Sequence, residues 1–287
     1  MKIISASLVK ELRERTGISV MDCKKALIES GGDVDLAIEE LKKSSKVKVA
    51  KRERIPVADG IITTFSKDLL ACMVEINCET DFVAKEESFI NYSEEVITKL
   101  ASNIDFSLKE LMEGDLEEER KKLIHHLGEN IVVRRIARSE ETSDSVGLYL
   151  HSNKKIASIV SLKGGNEITA KDIAMHVVAT DPISISPKDI SKEIIDSQKE
   201  MFEAQSANNG KPSDTVKRIV DGKLKKYLDE VCLIEQEFVK EPEKRIRDLL
   251  DQNKAKVIGF ERFEVGEGIE IKTKDFAAEV KSQIKDL

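Results

Sequence analysis

The spacing of apolar and polar positions over the first 41 residues predicts three short helices. Ser5 is placed to cap the first, with Leu8, Val9 and Leu12 on one face and Gly17 ending it. Ser19 followed by Asp22 forms a capping-box pattern ahead of Cys23, Ala26 and Leu27, and Gly31-Gly32 stops that helix. Asp33 heads a third helix through Val34, Ala37, Ile38 and Leu41. So small a bundle has a thin core and reads as a marginal module. From Lys42 to Pro56 the chain carries seven basic residues and one acidic residue, Glu53, with no clean apolar stripe. That stretch reads as a linker or an extension of the third helix, solvated rather than bound to RNA.

From Gly60 the period changes from helical to alternating. Gly60 to Phe65, a turn at Ser66-Lys67-Asp68 and Leu69 to Cys78 predict a β-hairpin. In its second strand Cys72, Val74, Ile76 and Cys78 face one way, and Ala71, Met73, Glu75 and Asn77 the other. A loop and a helix through Phe89, Val96, Ile97 and Leu100 follow, then a helical stretch from Leu108 to Leu127 and a strand after Gly128. The same order recurs after Gly147: strand, turn at Ser152-Asn153-Lys154, strand, and a helix through Ile168, Ile173 and Val177 that stops before Pro182. The repeat suggests two related subdomains, each a small sheet covered by helices on one side.

Between residues 188 and 231 the pattern narrows. Ile190, Ile194, Gln198, Met201 and Phe202 trace one stripe, Asn208 to Pro212 marks a turn, and Ser213 heads a return helix with Val216, Val220, Leu224, Tyr227 and Val231. This predicts an antiparallel helical hairpin. It interrupts the second subdomain, because Lys256 to Gly268 reads again as a strand, and Asp275 to Leu287 as a short amphipathic helix.

Composition narrows the functions. The 287 residues include 47 Lys plus Arg against 54 Asp plus Glu, a net charge of −7, which argues against broad electrostatic capture of nucleic acid. No apolar run reaches the length of a membrane span, and Lys10, Glu11 and Arg13 interrupt any signal-peptide core, so a cytoplasmic protein is expected. Cys23, Cys72, Cys78 and Cys232 form no C-x-x-C pair and read as buried thiols.

Chemistry is sparse. No phosphate-cradling glycine motif is present. His125 and His126 are adjacent and point about 100° apart on a helix, unlike an i, i+4 metal pair. His176 reads as a satisfied core histidine, and His151 as an exposed ring at a hairpin turn. Neither a metal site, a cofactor nor a catalytic constellation is expected. One segment stands out: Thr80-Asp81-Phe82-Val83, a large ring beside a carboxylate between a strand and a helix. It reads either as a helix start, capped by Thr80 or Asp81 with Phe82 plugging the core, or as an exposed anchor for a partner's pocket.

Several segments in order, Ser7 to Gly17, Met21 to Leu27, Glu75 to Lys85, Gly128 to Ile131, Ile173 to Val177 and Arg262 to Glu270, resemble bacterial translation elongation factor Ts along nearly the whole chain. The resemblance implies an α+β protein. Residues 1–54 would be a ubiquitin-associated-type three-helix module with a basic linker, and 55–140 a first core subdomain. Residues 141–181 plus 232–265 would be the second, with 182–231 a coiled-coil insertion and 266–287 a C-terminal module. It also implies non-catalytic guanine-nucleotide exchange on elongation factor Tu, in its GDP-bound and nucleotide-free forms. Thr80, Asp81, Phe82 and Val83 would disturb the partner's Mg²⁺ site, while Arg13, Thr16, Gly17 and His151 would make further contacts. A homodimer or 2:2 complex fits the family, with no direct nucleic-acid or membrane contact. The other reading is a non-exchanging adaptor that tethers proteins through the three-helix module and the helical hairpin.

Overall fold

The structure, a computed structural model, describes residues 4–16, 20–207 and 213–270. Helices α1 (Ala6–Thr16), α2 (Val20–Glu29) and α3 (Val34–Arg52) form the expected bundle around Leu12, Cys23, Ala26, Leu27, Ala37 and Leu41. The hydroxyl of Ser5 accepts from the Leu8 amide at 3.3 Å, and the Asp33 carboxylate from the amides of Asp35 and Leu36, each at 3.0 Å. Gly31 and Gly32 take φ of 65° and 89°, and the Gly32 amide donates to the Leu27 carbonyl at 2.8 Å, a glycine-terminated helix end. The expected helix stop at Gly17, the cap at Ser19, the turn at 208–212 and the helix at 275–287 lie outside the described residues.

The basic stretch after Leu41 is helix, not a loose tether. α3 continues to Arg52 and buries Val49 in the core of the next unit. Arg120 fixes the end of this helix by donating to Glu53 at 2.6 Å, to Glu117, and to the Ile131 carbonyl at 2.7 Å.

That unit is built on an antiparallel sheet in the order β1 (Asp59–Lys67), β2 (Leu70–Cys78), β3 (Ile131–Arg138). The hairpin turn falls at Asp68-Leu69, one step beyond the expected site, because Ser66 and Lys67 stay extended and Asp68 takes the left-handed conformation (φ 54°). α4 (Glu87–Ser102), α5 (Leu108–Leu111) and α6 (Asp115–Leu127) pack Phe89, Val96, Leu100, Leu111 and Ile124 against Cys72, Val74, Ile76 and Cys78. The single helical stretch expected from Leu108 is split at Gly114 (φ 84°).

The second half runs β4 (Ser145–Leu150), β5 (Ile156–Gly164), α7 (Glu167–Thr180), α8 (Lys192–Ala207), α9 (Ser213–Val231), the short strands β6 (Glu237–Phe238) and β7 (Glu241–Arg245), α10 (Ile246–Gln252) and β8 (Ala255–Glu264). Its antiparallel sheet has the order β4-β5-β8. Ala170, Ile173, Ala174 and Val177 of α7 pack on Val160 and Leu162. Ile168, expected on that face, is 75% exposed because it lies on the outer side of the first turn.

Neither sheet is covered on one side only. Ile62, Ala71, Met73 and Ala137 of the first sheet meet Val146, Ala157, Ile159 and Phe263 of the second in a shared core. The order is therefore helices, sheet, sheet, helices, and the fold class is α+β. Glu75 is wholly buried at this junction. Burial would raise its pKa, but the Gly266 amide, Arg134, Arg135 and the Asn77 amide all donate to it and hold it below the usual carboxylate value.

α8 and α9 pack against each other as the expected helical pair. Gln198 and Phe202 lie on the seam as read above, but Ile195 and Ser206 turn inward with them, while Ile194 and Met201 are each 43% exposed. At the base of the pair the Ile183 amide donates to the Val231 carbonyl (3.0 Å) and the Leu233 amide to the Ser184 carbonyl (2.9 Å), so the entering and leaving strands run side by side.

Candidate functional site

The alternation that makes β2 a two-faced strand ends at Cys78, whose thiol points into the core and donates to the Thr80 carbonyl at 3.1 Å. Burial, with Asp59 and Glu129 nearby, pushes that thiol up to about 12, so it stays protonated. Beyond it the chain turns through one short helical turn, Val83–Lys85, in which the Ala84 amide donates to the Thr80 carbonyl (3.3 Å) and the Lys85 amide to the Phe82 carbonyl (3.1 Å).

Burial within this turn removes one of the two readings of Thr80 to Val83. Val83 and Ala84 plug the core, whereas Phe82 is 76% exposed. α4 does not start here but at Glu87, after Glu86. Thr80 is held from the side: Glu129 accepts its amide at 3.0 Å and its hydroxyl at 2.7 Å. Asp81 pairs with Lys85 at 2.6 Å, and the hydrogen bond from Lys85 keeps its carboxyl below the usual range. The reading of Phe82 as a core plug is thus incorrect. The core position at this turn is taken by Val83 and Ala84.

The tip of the β4–β5 hairpin lies at the same end of the molecule. The carbonyl of Lys154 accepts from the Ile62 amide and that of Lys155 from the Val265 amide, each at 2.8 Å. The Lys155 ammonium pairs with Asp59, donates to the Gly60 carbonyl at 2.7 Å and is close enough to Asp81 to help hold its charge. His151 is exposed on this tip, its amide donating to the Ile156 carbonyl at 2.9 Å. The fold therefore brings the Lys155 ammonium within electrostatic reach of Asp81, which is about seventy positions away in sequence.

Arg13 and Thr16 sit on α1, in the bundle with its own core. Arg13 is exposed, and the Thr16 hydroxyl donates to the Leu12 carbonyl at 2.6 Å. Gly17 lies outside the described residues. Two neighbours of the loop were not singled out from sequence, Lys155 and Glu129. Glu129 lies 49 positions from Thr80, and only the β2–β3 pairing brings them together.

His176 is a satisfied core residue. Its Nδ1 accepts from the Val239 amide at 3.3 Å and its Nε2 donates to the Gln236 side chain at 2.9 Å, and burial lowers its pKa. All four cysteines are buried. Among the described residues no cluster of three or more His, Cys, Asp or Glu is arranged to hold a metal, and no helix is long and apolar enough to cross a membrane. The loop and the neighbouring tip present an exposed ring, a paired carboxylate and basic groups.

The family model described as Elongation factor TS matches residues 79–267, from the residue before Thr80 through β3 and the whole second half to Glu267. Curated relatives named Elongation factor Ts are similar over nearly the whole chain. One from Hahella chejuensis is 47% identical, covering 99% of this chain and 100% of its own length. Others from Marinobacter nauticus (46%, 98% and 97%) and Francisella tularensis subsp. novicida (42%, 99% and 100%) agree. By motif order, family model and full-length identity alike, the chain belongs to the elongation factor Ts family of translation elongation factors.

Proposed function

We propose that this protein is a guanine-nucleotide exchange factor for elongation factor Tu, acting by differential binding and forming no covalent bond. The observation that carries the reading is Phe82, a large apolar ring 76% exposed on a loop whose base is fixed. A single exposed leucine or valine means little, but a bare phenyl ring on a held tip is the form of an anchor that fills a pocket.

GDP in a GTPase is held through its phosphates, by Mg²⁺ and by loop amides. A protein that binds the empty GTPase better than the loaded one weakens nucleotide binding by the same factor that nucleotide weakens its own. Each tenfold effect requires about 1.4 kcal/mol of difference between the two forms. Phe82 supplies it by wedging between partner helices and shifting the segments that carry the Mg²⁺ ligands. Asp81 brings a negative charge toward phosphate, and the Lys85 hydrogen bond favours its ionised form. Thr80 and Val83 set the direction of the loop. Arg13, Thr16, Gly17 and His151 supply affinity that does not distinguish the two forms. The acidic chain makes its contacts with protein, in the cytoplasm, and not with nucleic acid or a membrane; a homodimer or a 2:2 assembly with the partner is compatible with this surface.

The test is release of labelled GDP from elongation factor Tu as the full chain is titrated in. Phe82→Ala is expected to slow release by the equivalent of about 2–4 kcal/mol, the range of an interface hot spot. Equal binding to empty and GDP-loaded partner would instead favour a non-exchanging adaptor.

A further inference from the structure

The geometry points to Glu129 as a positioning residue for the Phe82 loop, with Glu79 as its counterpart on the other strand. The inference rests on the exchange reading for its consequence, but not for its structural content. The β2–β3 ladder ends at the Cys78–Ile131 pair. Over the next two positions of each segment, where no backbone pairing follows, two carboxylates replace the missing carbonyls. Glu79 on the β2 side accepts the Asn130 amide at 2.7 Å. Glu129 on the β3 side accepts the Thr80 amide at 3.0 Å and the Thr80 hydroxyl at 2.7 Å. Each segment thus reaches across to hold the other's backbone, and charged acceptors make these bonds stronger than an ordinary ladder rung.

The far side of this clasp is itself anchored. Asn130 is 1% exposed and donates its side-chain amide to the Ile55 carbonyl at 2.8 Å. Arg52, at the end of α3, neutralises Glu79 at 3.3 Å. Phe82 stands two residues beyond the gripped Thr80, so the clasp fixes where the ring is presented. A site held loosely by its supporting residues loses function while remaining present. Release of the clasp therefore leaves the ring available but misplaced.

The experiment measures GDP release from elongation factor Tu by the full chain across a range of factor concentrations, for wild type, Glu129→Ala and Glu129→Gln. Expected is a fall in the maximal rate of about tenfold to a hundredfold for Glu129→Ala, the scale of a small misplacement. The half-saturating concentration should change much less. Glu129→Gln keeps the length and one carbonyl acceptor and should recover part of the rate. A residue that only stabilised the fold would lower the active fraction, raising the concentration needed while the maximal rate stayed at the wild-type value; that result overturns the proposal. Hydrogen exchange at the Thr80 amide of the free chain gives an independent readout. It should be protected in wild type and exposed in Glu129→Ala, and protection retained in Glu129→Ala overturns the clasp whatever the GTPase does. If the wild-type chain fails to accelerate release, the exchange reading falls, and the Thr80 amide still decides whether the clasp exists.

Discussion

Three consecutive residues of the loop meet different surroundings. Phe82 faces water, while Val83 and Ala84 are 7% and 5% exposed and seal the end of a core. Substitutions here should separate function from stability. Val83→Ala is expected to lower unfolding free energy by roughly 1–3 kcal/mol, through lost burial and the space left behind. Phe82→Ala should leave it within about 0.5 kcal/mol, as for an exposed side chain. The urea midpoint of each variant checks this, and a large loss for Phe82→Ala would mean that the ring packs in solution. His176 gives a prediction of another kind. Its folded pKa is lowered by burial, so below the unfolded value, about 6.5, the unfolded chain binds the extra proton and the folded one does not. The stability contributed by its neutral ring is therefore full above about pH 6.5 and declines as pH falls from there toward the folded pKa, with a slope of at most about 1.4 kcal/mol per pH unit. Stability measured from pH 8 to 5 should lose part of this slope in His176→Gln.

Elements were legible in the sequence where one local signal decided them. Asp33 and the Gly31-Gly32 pair mark a helix boundary by capping and left-handed backbone, and both are where expected. The two faces of β2 followed from alternation alone. What covers the second face did not, because alternation says that Ala71 and Met73 share a side and not that another sheet lies against it. On the α8 seam Ile195 takes the place read for Ile194 for a similar reason: both are apolar, and only the partner helix chooses between them. In the loop, Phe82 and Val83 are also adjacent and apolar, so the sequence held both readings until burial separated them. Glu129 was silent because a carboxylate 49 positions away carries no periodic signal. Gly147 shows how tightly elements meet. A Cβ there would fall on the backbone of Ala170 and Lys171, so α7 lies against β4 with no room for a methyl group. Gly147→Ala should destabilise by about 1–3 kcal/mol or more, the range for overpacking, visible as a lowered denaturation midpoint.

At the scale of the whole molecule, the helical pair α8–α9 is an insertion with a closed base. Its entering and leaving strands are already joined at Ile183–Val231 and Ser184–Leu233. Replacement of residues 192–227 by a short glycine-rich link is therefore expected to leave the main thermal transition within a few degrees of the wild type. Collapse of that transition would show that the pair supports the core. The same closed base shortens the path by which the chain finds its fold, since the loop it pinches off need not be ordered for β5 to meet β8. The wait is still long. Every strand of the first sheet lies between residues 59 and 138, whereas Ile156 must pair with Glu264. During synthesis the first sheet can close while the rest is still being made. Its inner face, with Ile62, Met73 and Ala137, then stands bare until β4 and β5 bring Val146, Ala157 and Ile159 over it, and the shared core closes only when β8 adds Phe263. A nascent chain stalled before residue 145 should thus display a greasy half-sandwich, and that is the moment at which a chaperone has most to hold.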